Sequence, residues 1–489
     1  MSRHSEFEAI EAALPDMVRA FEADPHAAYC LVVVPSMSFD QQLLRNVLGV
    51  EHYEERLLAM LLQLHGPRMH VVFCSSAAIP DVIVDYYLDL IPGVPVSHSR
   101  PRLTMISCDD LSRRPLTEKL LERPPRLREI KAVLASCRLG GIVAMNTTDL
   151  ERELAVELGI PLLGNPPELD HLGTKSGSRD MFRAAGIDLA AGYEHLHSMA
   201  EVAHALAELK RERPHLHTAV VKLEEGFSGE GNALYRYEHG SDEVTILAGL
   251  PGFLKFQGPA ETYESFSERF EVMGGIVEEF IDGVESSPSA QGYIGPDGTL
   301  RALSTHDQVL GGADGQVFEG STFPADERYR LRVQEAMMRV GAVLQAKGAR
   351  GRFAVDFVEA GDRLCAIEIN LRKGGTTHPM LTLAVITEGR YDPASGLFTS
   401  GQGVQKSYYA TDNLQSPHYR GIAVPELLDA AVEERLLFDP VTERGCVFHM
   451  LGALSEYGKV GVTCIADTLT QAQDDYRAMV DMMDRLGAD

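Results

Sequence analysis

The stretch AVDFVEAGDRLCAIEIN, residues 354–370, limits the fold more than any other. Two apolar runs flank the turn-forming GDR (361–363), so the segment predicts an antiparallel hairpin. Side chains alternate faces along a strand, and one face of such a hairpin must be buried. Yet Asp356, Glu368 and Asn370 stand inside the strands. With GDR as the loop, Asp356 lies directly opposite Glu368, their Cβ atoms about 5 Å apart. On the second strand Ala366, Glu368, Asn370 and Arg372 share one face. Cys365, Ile367, Ile369 and Leu371 share the other, which is the core face.

Two facing carboxylates cost up to about 1 kcal/mol unless something compensates. A divalent cation is the natural compensation. Two carboxylates and an amide oxygen suit hard Mg²⁺, which keeps positions for water and substrate phosphates. The alternative is a solvated sheet face that tolerates acids. Asn370 and Arg372 extend the polar face and Gly374-Gly375 follow it, which favours the cation.

Other parts of a phosphate site lie upstream. In VVKLEEGFSGEGNALYRY (220–237), Lys222 closes an apolar strand and a loop with Gly226, Ser228, Gly229 and Gly231 follows. Glycines let backbone N–H groups line an anion. This is a strand–loop–strand clasp; no G-x-x-x-x-G-K-[ST] occurs. Alone, such a loop reads equally as a turn. VEEFIDGVE (277–285) then offers an extended linker with Glu278 and Glu285, which read alone is an acidic surface strand. Lys175, in GTKSGSRDMFRAAGI, lies just before a helix; a lysine there is usually solvated, but can reach phosphates as a point charge.

Residues up to about 165 have another texture. CLVVVP (30–35), HVVFCS (70–75), GIVAMN (141–146) and IPLLG (160–164) predict buried parallel strands. YEERLLAMLLQLH (53–65) and DLERELAVELG (149–159) predict helices, giving an open α/β layer. No G-x-G-x-x-G follows the first strand, which removes the main support for a dehydrogenase. GNPPELDHLGTKSG (164–177) is a joint, and an α+β region of antiparallel strands follows it. From about 391, YDPASGLFTSGQG reads as loop, PELLDAAVEERLLF (425–438) as a helix, and GCVFHMLGAL with GKVGVTCIA as a hairpin. Thr470 and Gln473 fit a capping box for a last helix.

The 489 residues fit two to four domains. A net charge of −26 argues against nucleic-acid and anionic-membrane partners, so any anion needs a local basic pocket. Seven scattered cysteines without a CxxC pair read as reduced thiols of a cytoplasmic protein. His195/His197 and His215/His217 lack a third ligand nearby and read as incidental. His306, His378 and His449 read as packed or solvated rather than as general bases.

The succession of a lysine before a helix, a strand lysine, a glycine loop, an E-E-F-I hinge and then D…E-x-N resembles the ATP-grasp superfamily over about residues 165 to 375. The resemblance implies ATP and Mg²⁺. Lys175 and Lys222 would hold the α- and β-phosphates, and the loop with Gly226, Ser228, Gly229 and Gly231 would cover the triphosphate. Glu278 and Ile281 would meet adenine through their backbones, and Glu285 the ribose. Asp356, Glu368 and Asn370 would hold the metal, with Arg372 and Arg352 at the reacting groups. VVVPSMSFD, LGTKSGSRDMF and VFHMLGALSEYGKVGVTCIADT are similar to the flanks of the pheganomycin-type peptide ligases. The implied architecture is α/β and α+β: a Rossmann-like pre-ATP-grasp layer (1–165), an ATP-grasp fold (166–390) and a small C-terminal α+β segment (391–489). The implied activity is ATP-dependent joining of a carboxylate to an amine through an acyl phosphate, in peptide natural-product biosynthesis, with a lid at 226–231 and a homodimer allowed. Another ATP-grasp activity and a non-catalytic nucleotide-binding regulatory module are the alternatives.

Overall fold

The computed structural model describes residues 3–24, 27–39, 41, 44, 47–227, 230–237, 241–257, 261–311 and 317–488. Its first layer is a parallel sheet of β1 (Tyr29–Val34), β2 (Met69–Ser75), β3 (Leu103–Ser107) and β4 (Leu139–Ala144), in the order β3-β2-β1-β4. β1 and β2 are apolar on both faces, as a sheet covered on both sides requires. Two expectations fail here. IPLLG forms only one bridge, Leu162 to Ile142, because Pro161 lacks a donor N–H. The fourth strand is β3, whose half-buried edge position gives its sequence no continuous apolar signal. The 53–65 helix spans Val50–His65 and is wound as a 3₁₀ helix. The 149–159 helix is Asp149–Leu158, with Thr148 and Glu151 forming a capping box.

The second sheet is antiparallel: β5 (Gly192–Leu196), β6 (Thr218–Phe227), β7 (Glu230–Arg236), β8 (Lys255–Phe256) and β9 (Gly275–Glu279), in the order β5-β9-β6-β7-β8. Helices Met199–Glu212, Glu243–Phe253 and Tyr263–Met273 cover it and share its core.

The largest sheet joins β10 (Pro288–Ile294), β11 (Leu300–Gly311), β12 (Val317–Phe323), β13 (Gly351–Ala360), β14 (Arg363–Asn370), β15 (Arg390–Asp392), β16 (Leu397–Thr399), β17 (Gln405–Gln415), β18 (Gly445–His449) and β19 (Lys459–Ala466). Its path is β14-β13-β10-β11-β12-β17-β16-β15, with β19 pairing β17 and β18. Residues 391–403, expected as loop, supply β15 and β16. Helix Val424–Glu433 stops short of residue 438. The last helix, Leu469–Leu486, is capped by Thr468 and Gln471, not by Thr470 and Gln473: the cap lies two residues upstream, with Thr468 in extended backbone.

Phe353, Val355 and Phe357 of β13 are buried, and they pack with Val333, Met337 and Val340 of helix Arg330–Ala346 and with Phe182. Each such aromatic ring contributes about 1.5–3 kcal/mol on full burial. This packing turns Ala354, Asp356 and Val358 outward. A second core joins the outer layers: Leu57, Leu58, Leu61 and Leu62 of Val50–His65 pack with Phe448, Val462 and Met479 from the C-terminal segment. The N-terminal layer is thereby clamped against β17–β19, and one cavity lies between it and the two antiparallel sheets. No helix among the described residues is long and apolar enough to cross a membrane.

Candidate functional site

The cavity has a volume of about 420 Å³, within the range of small-molecule sites. One wall is the β13–β14 hairpin. Its register pairs Asp356 with Glu368 and Ala354 with Asn370, so the two carboxylates face each other across the ladder. Asn370 Nδ2 donates to Asp356 Oδ2 at 3.0 Å, and Arg372 donates to Asn370 Oδ1. Lys175 Nζ lies 2.7 Å from Glu368 Oε1. Lys175 is the first residue of helix Lys175–Ala185 rather than a residue before it, because Thr174 is the N-cap.

Burial, and then the facing Glu368, push the Asp356 carboxyl up to about 6. Burial alone would also raise Glu368, but Lys175, Arg372 and Lys222 outweigh it and hold that carboxyl below its usual range. The pair is a buried like-charge contact that added positive charge would relieve. Two carboxylates and an amide therefore fit Mg²⁺. Among the described residues no cluster of three His, Cys, Asp or Glu side chains competes for a metal.

A bulge corrects the predicted faces of β14. The register shifts after Asp356, so that Phe357 pairs with Ala366 and Ile367 is the extra residue. Ala366, expected on the polar face, joins the core, and Ile367, expected in the core, lines the cavity. The bulge flips the phase between these two residues and leaves Glu368, Asn370 and Arg372 on the cavity side.

The five-stranded sheet forms the adjoining wall. Lys222 on β6 contacts the Glu278 carboxylate, which also accepts from Arg179 Nη1 at 3.0 Å. Glu278 pairs on both sides, with Gly192 and Val220, so the ladder engages its backbone. The backbone contact expected of it is thus taken up by the ladder, and its side chain is what meets Lys222 and Arg179 at the cavity. Phe280 and Ile281, just past the end of β9, line the cavity with Val284 and Ser287. Glu285 is exposed and outside the lining. Gly226 lines the cavity. Gly231 does not; its φ of +89° serves the turn into β7. Ser228 and Gly229 lie outside the described residues.

Arg352 also departs from expectation. It shares the outward face of β13 but lies outside the cavity lining, four residues and roughly 13 Å along the strand from Asp356. Its charge acts on Lys373 instead. Burial first, and Arg352 second, pull the Lys373 ammonium down to about 7. Lys373 lines the cavity and ties β14 to the N-terminal layer, its Nζ donating to Ala144 O at 2.5 Å and its backbone N to Met145 O at 3.0 Å.

The remaining wall was not foreseen. Met37, Phe39, Tyr53, Arg56 and Met145 come from the N-terminal layer, and Phe318 and Asn413 from β12 and β17. Side chains three apart eclipse on a 3₁₀ helix, and Arg56 accordingly stacks on Tyr53, 3.9 Å from the ring centroid. Arg372 lies 5.1 Å from the Phe39 ring and stands where this wall meets the hairpin. Only Arg179 carried a usable sequence signal, as a cation one turn after Lys175 on the same helix face.

Comparisons with known proteins agree with this geometry. Residues 255–376 match an ATP-grasp domain, 167–241 an IQCH-like ATP-grasp domain, and 426–479 a PGM1 C-terminal domain. An L-propargylglycine–L-glutamate ligase of Streptantibioticus cattleyicolor is 32% identical over 464 residues, covering 91% of this chain and 92% of its own. The fold is similar to that of biotin carboxylase from Campylobacter jejuni in complex with β-γ-ATP, at TM-score 0.56 and 12% identity over 95% of each chain. It is also similar to N5-carboxyaminoimidazole synthase from Aspergillus clavatus, at TM-score 0.52 and 14% identity over 94% of this chain and 99% of that one.

Proposed function

Because this chain belongs to the ATP-grasp family, we propose that it works as an ATP-dependent carboxylate–amine ligase, joining an acid to an amine through an acyl phosphate. A free carboxylate resists attack by an amine. Phosphorylation by ATP supplies the leaving group. A carboxylate oxygen attacks the γ-phosphorus and ADP departs; the amine nitrogen then attacks the carbonyl carbon and phosphate departs. The 32% identical ligase, which by its name joins two amino acids, supports amino-acid or peptide substrates.

The observation that carries this reading is the facing Asp356–Glu368 pair, with Lys175 beside it, inside a cavity that also takes in Lys222 and Arg372. Asp356, Glu368 and Asn370 would hold Mg²⁺, which when bound neutralises charge on the phosphates. Lys175 and Lys222, held by Glu368 and Glu278, are preset to turn toward the phosphates. Ile281 and Ile367 offer apolar contact to the base. Arg372 faces the reacting groups, where its guanidinium stabilises charge on the phosphoryl group and the tetrahedral oxyanion. Gly226 opens the loop that covers the nucleotide and excludes water. We assign the same division of labour to the segments: 1–165 as a substrate layer, 166–390 as the nucleotide body, and 391–489 as the brace that closes the cavity. Synthesis of peptide natural products is the setting this activity fits.

The test supplies ATP, Mg²⁺ and pairs of acids and amines, and follows ADP and the amide by mass spectrometry. ADP release that requires the acid, with an amide formed, is expected. ATP binding without turnover for any pair would replace the ligase reading with a regulatory one.

A further inference from the structure

Arg56 has no part in the nucleotide assignments, yet it lines the cavity and is tied to the core through Asp412. It is buried, and its Nη2 lies 2.8 Å from Asp412 Oδ2. Asp412 Oδ1 lies 3.1 Å from His378 Nε2. The His378 ring packs edge-on against His449, with centroids 4.6 Å apart. His449 is fixed in turn by Tyr87 Oη at 3.0 Å and Thr463 Oγ1 at 2.8 Å. This chain of contacts runs from the cavity into the core and positions the guanidinium through Asp412. Its Nε is buried and has no hydrogen-bond partner among the described residues.

The surroundings favour an anion. Lys459 is buried, with its Nζ 3.0 Å from the Tyr53 hydroxyl and 5.0 Å from the ring centroid. Arg56 and Lys459 thus bracket one tyrosine, and among the described residues Asp412 is the one carboxylate paired with either. That excess stands in a chain of net charge −26. The place also fits a ligand by topology. In the order β3-β2-β1-β4 the chain reverses direction across the sheet between β1 and β4. Ligands bind outside the carboxyl ends of the strands at such a switch point. Met37, Phe39 and Met145 follow those two strand ends and line the cavity beside Arg56.

Resting on the ligase reading, we infer that Arg56 binds a carboxylate that the reaction does not consume, carried by an amino-acid or peptide substrate. The reacting carboxylate belongs at Arg372 and the spectator carboxylate at Arg56, the two ends of one substrate space. Met37, Phe39, Met145 and Phe318 line the same cavity and would take the apolar part. Asp412 and His378 act through Arg56 and are positioning residues.

The probes are L-propargylglycine and L-glutamate, each as free acid and as α-amide, with the γ-amide of glutamate in addition. They are titrated calorimetrically into the full chain loaded with Mg²⁺ and a non-hydrolysable ATP analogue. At least one free acid is expected to bind, its matching amide about 10- to 100-fold more weakly. Arg56→Gln should bring the acid down to the level of the amide without weakening the amide further. Arg56→Lys should restore part of the preference, and it carries the test by the same acid-to-amide ratio if the glutamine variant does not fold. The amino acid that shows the preference assigns the spectator carboxylate to the acid or the amine partner. Equal binding of acid and amide to the wild type, equal losses of both in Arg56→Gln, or no binding by any free acid overturns the inference. ADP formation is read separately. Turnover without a carboxylate preference overturns the Arg56 assignment alone. A carboxylate preference without ADP formation supports Arg56 and overturns the ligase reading.

Discussion

The hairpin and the adjoining five-stranded sheet pair Lys175, Lys222 and Arg179 with carboxylates, whereas the N-terminal wall sets Arg56 and Lys459 against a single paired carboxylate. On the first, Lys175 meets Glu368, Lys222 meets Glu278, and Arg179 is shared between Glu278 and Glu194. On the second, Arg56 is paired with Asp412, and Lys459 donates to the Tyr53 hydroxyl with no carboxylate paired to it among the described residues. The difference follows from what each wall is proposed to receive. A nucleotide arriving with Mg²⁺ brings charge of both signs, so internal pairs can exchange partners: the carboxylates turn to the cation and the lysines to the phosphates. A bare carboxylate brings negative charge alone and needs a cation already waiting. Internal pairing also keeps the lysines placed before the nucleotide arrives, which lowers the ordering cost of binding.

The sharpest way to break this contrast is Glu368→Gln. It removes one of the proposed metal ligands and the partner of Lys175, and a drop in kcat of about 10³-fold, or about 4 kcal/mol, is expected from ADP-release rates. The fold should survive, with melting unchanged without nucleotide and the stabilisation by Mg-ATP reduced. Undiminished turnover would detach the hairpin from the chemistry. Lys222→Met is the milder version. It strips one proposed phosphate contact and leaves Glu278 to Arg179, so KM for ATP should rise about 10- to 100-fold while the preference for a free carboxylate at the far wall stays. If that preference moves with the nucleotide KM, the two walls are not separate subsites.

The same contrast marks what was legible in the sequence. The hairpin wall is written locally: two strands of period two around a tight turn bring Asp356 opposite Glu368. The turn is Gly361–Asp362 alone, with Arg363 already paired to Ala360, and the bulge at Ile367 makes up the residue that the expected GDR loop would have supplied. Its two local errors, the shorter turn and the exchanged faces of Ala366 and Ile367, share one cause, a bulge that strand periodicity does not encode. The far wall has no local grammar. Arg56 meets Asp412 only because a 3₁₀ helix of the N-terminal layer packs on a strand near the other end of the chain. Read by itself, Arg56 is one basic residue in an acidic amphipathic segment, and His378 and His449 look like ordinary packed histidines. Arg352 fails for the opposite reason: it lies on the correct face, but distance along a strand decides reach and alternation does not report it.

The far wall carries a cost that can be measured without substrate. Glu54 lies on the same helix as Arg56 but is directed away from the cavity, where its carboxylate accepts from Ser76 N at 2.7 Å and Ser76 Oγ at 2.6 Å. Burial pushes its carboxyl up to about 7; the Ser76 bonds and Lys119 oppose this, and Glu55 adds to it. Between an ordinary glutamate pKa of about 4.5 and 7, the folded chain holds a proton that the unfolded chain has lost. Stability contributed by this group is therefore present below that window and falls as pH rises through it. Glu54→Gln keeps the size and an acceptor oxygen but removes the titration. The variant should melt with the wild type near pH 4.5 and above it at pH 8, by on the order of 2 kcal/mol, a few degrees in Tm. A difference independent of pH would show that Lys119 fully offsets the Glu54 charge.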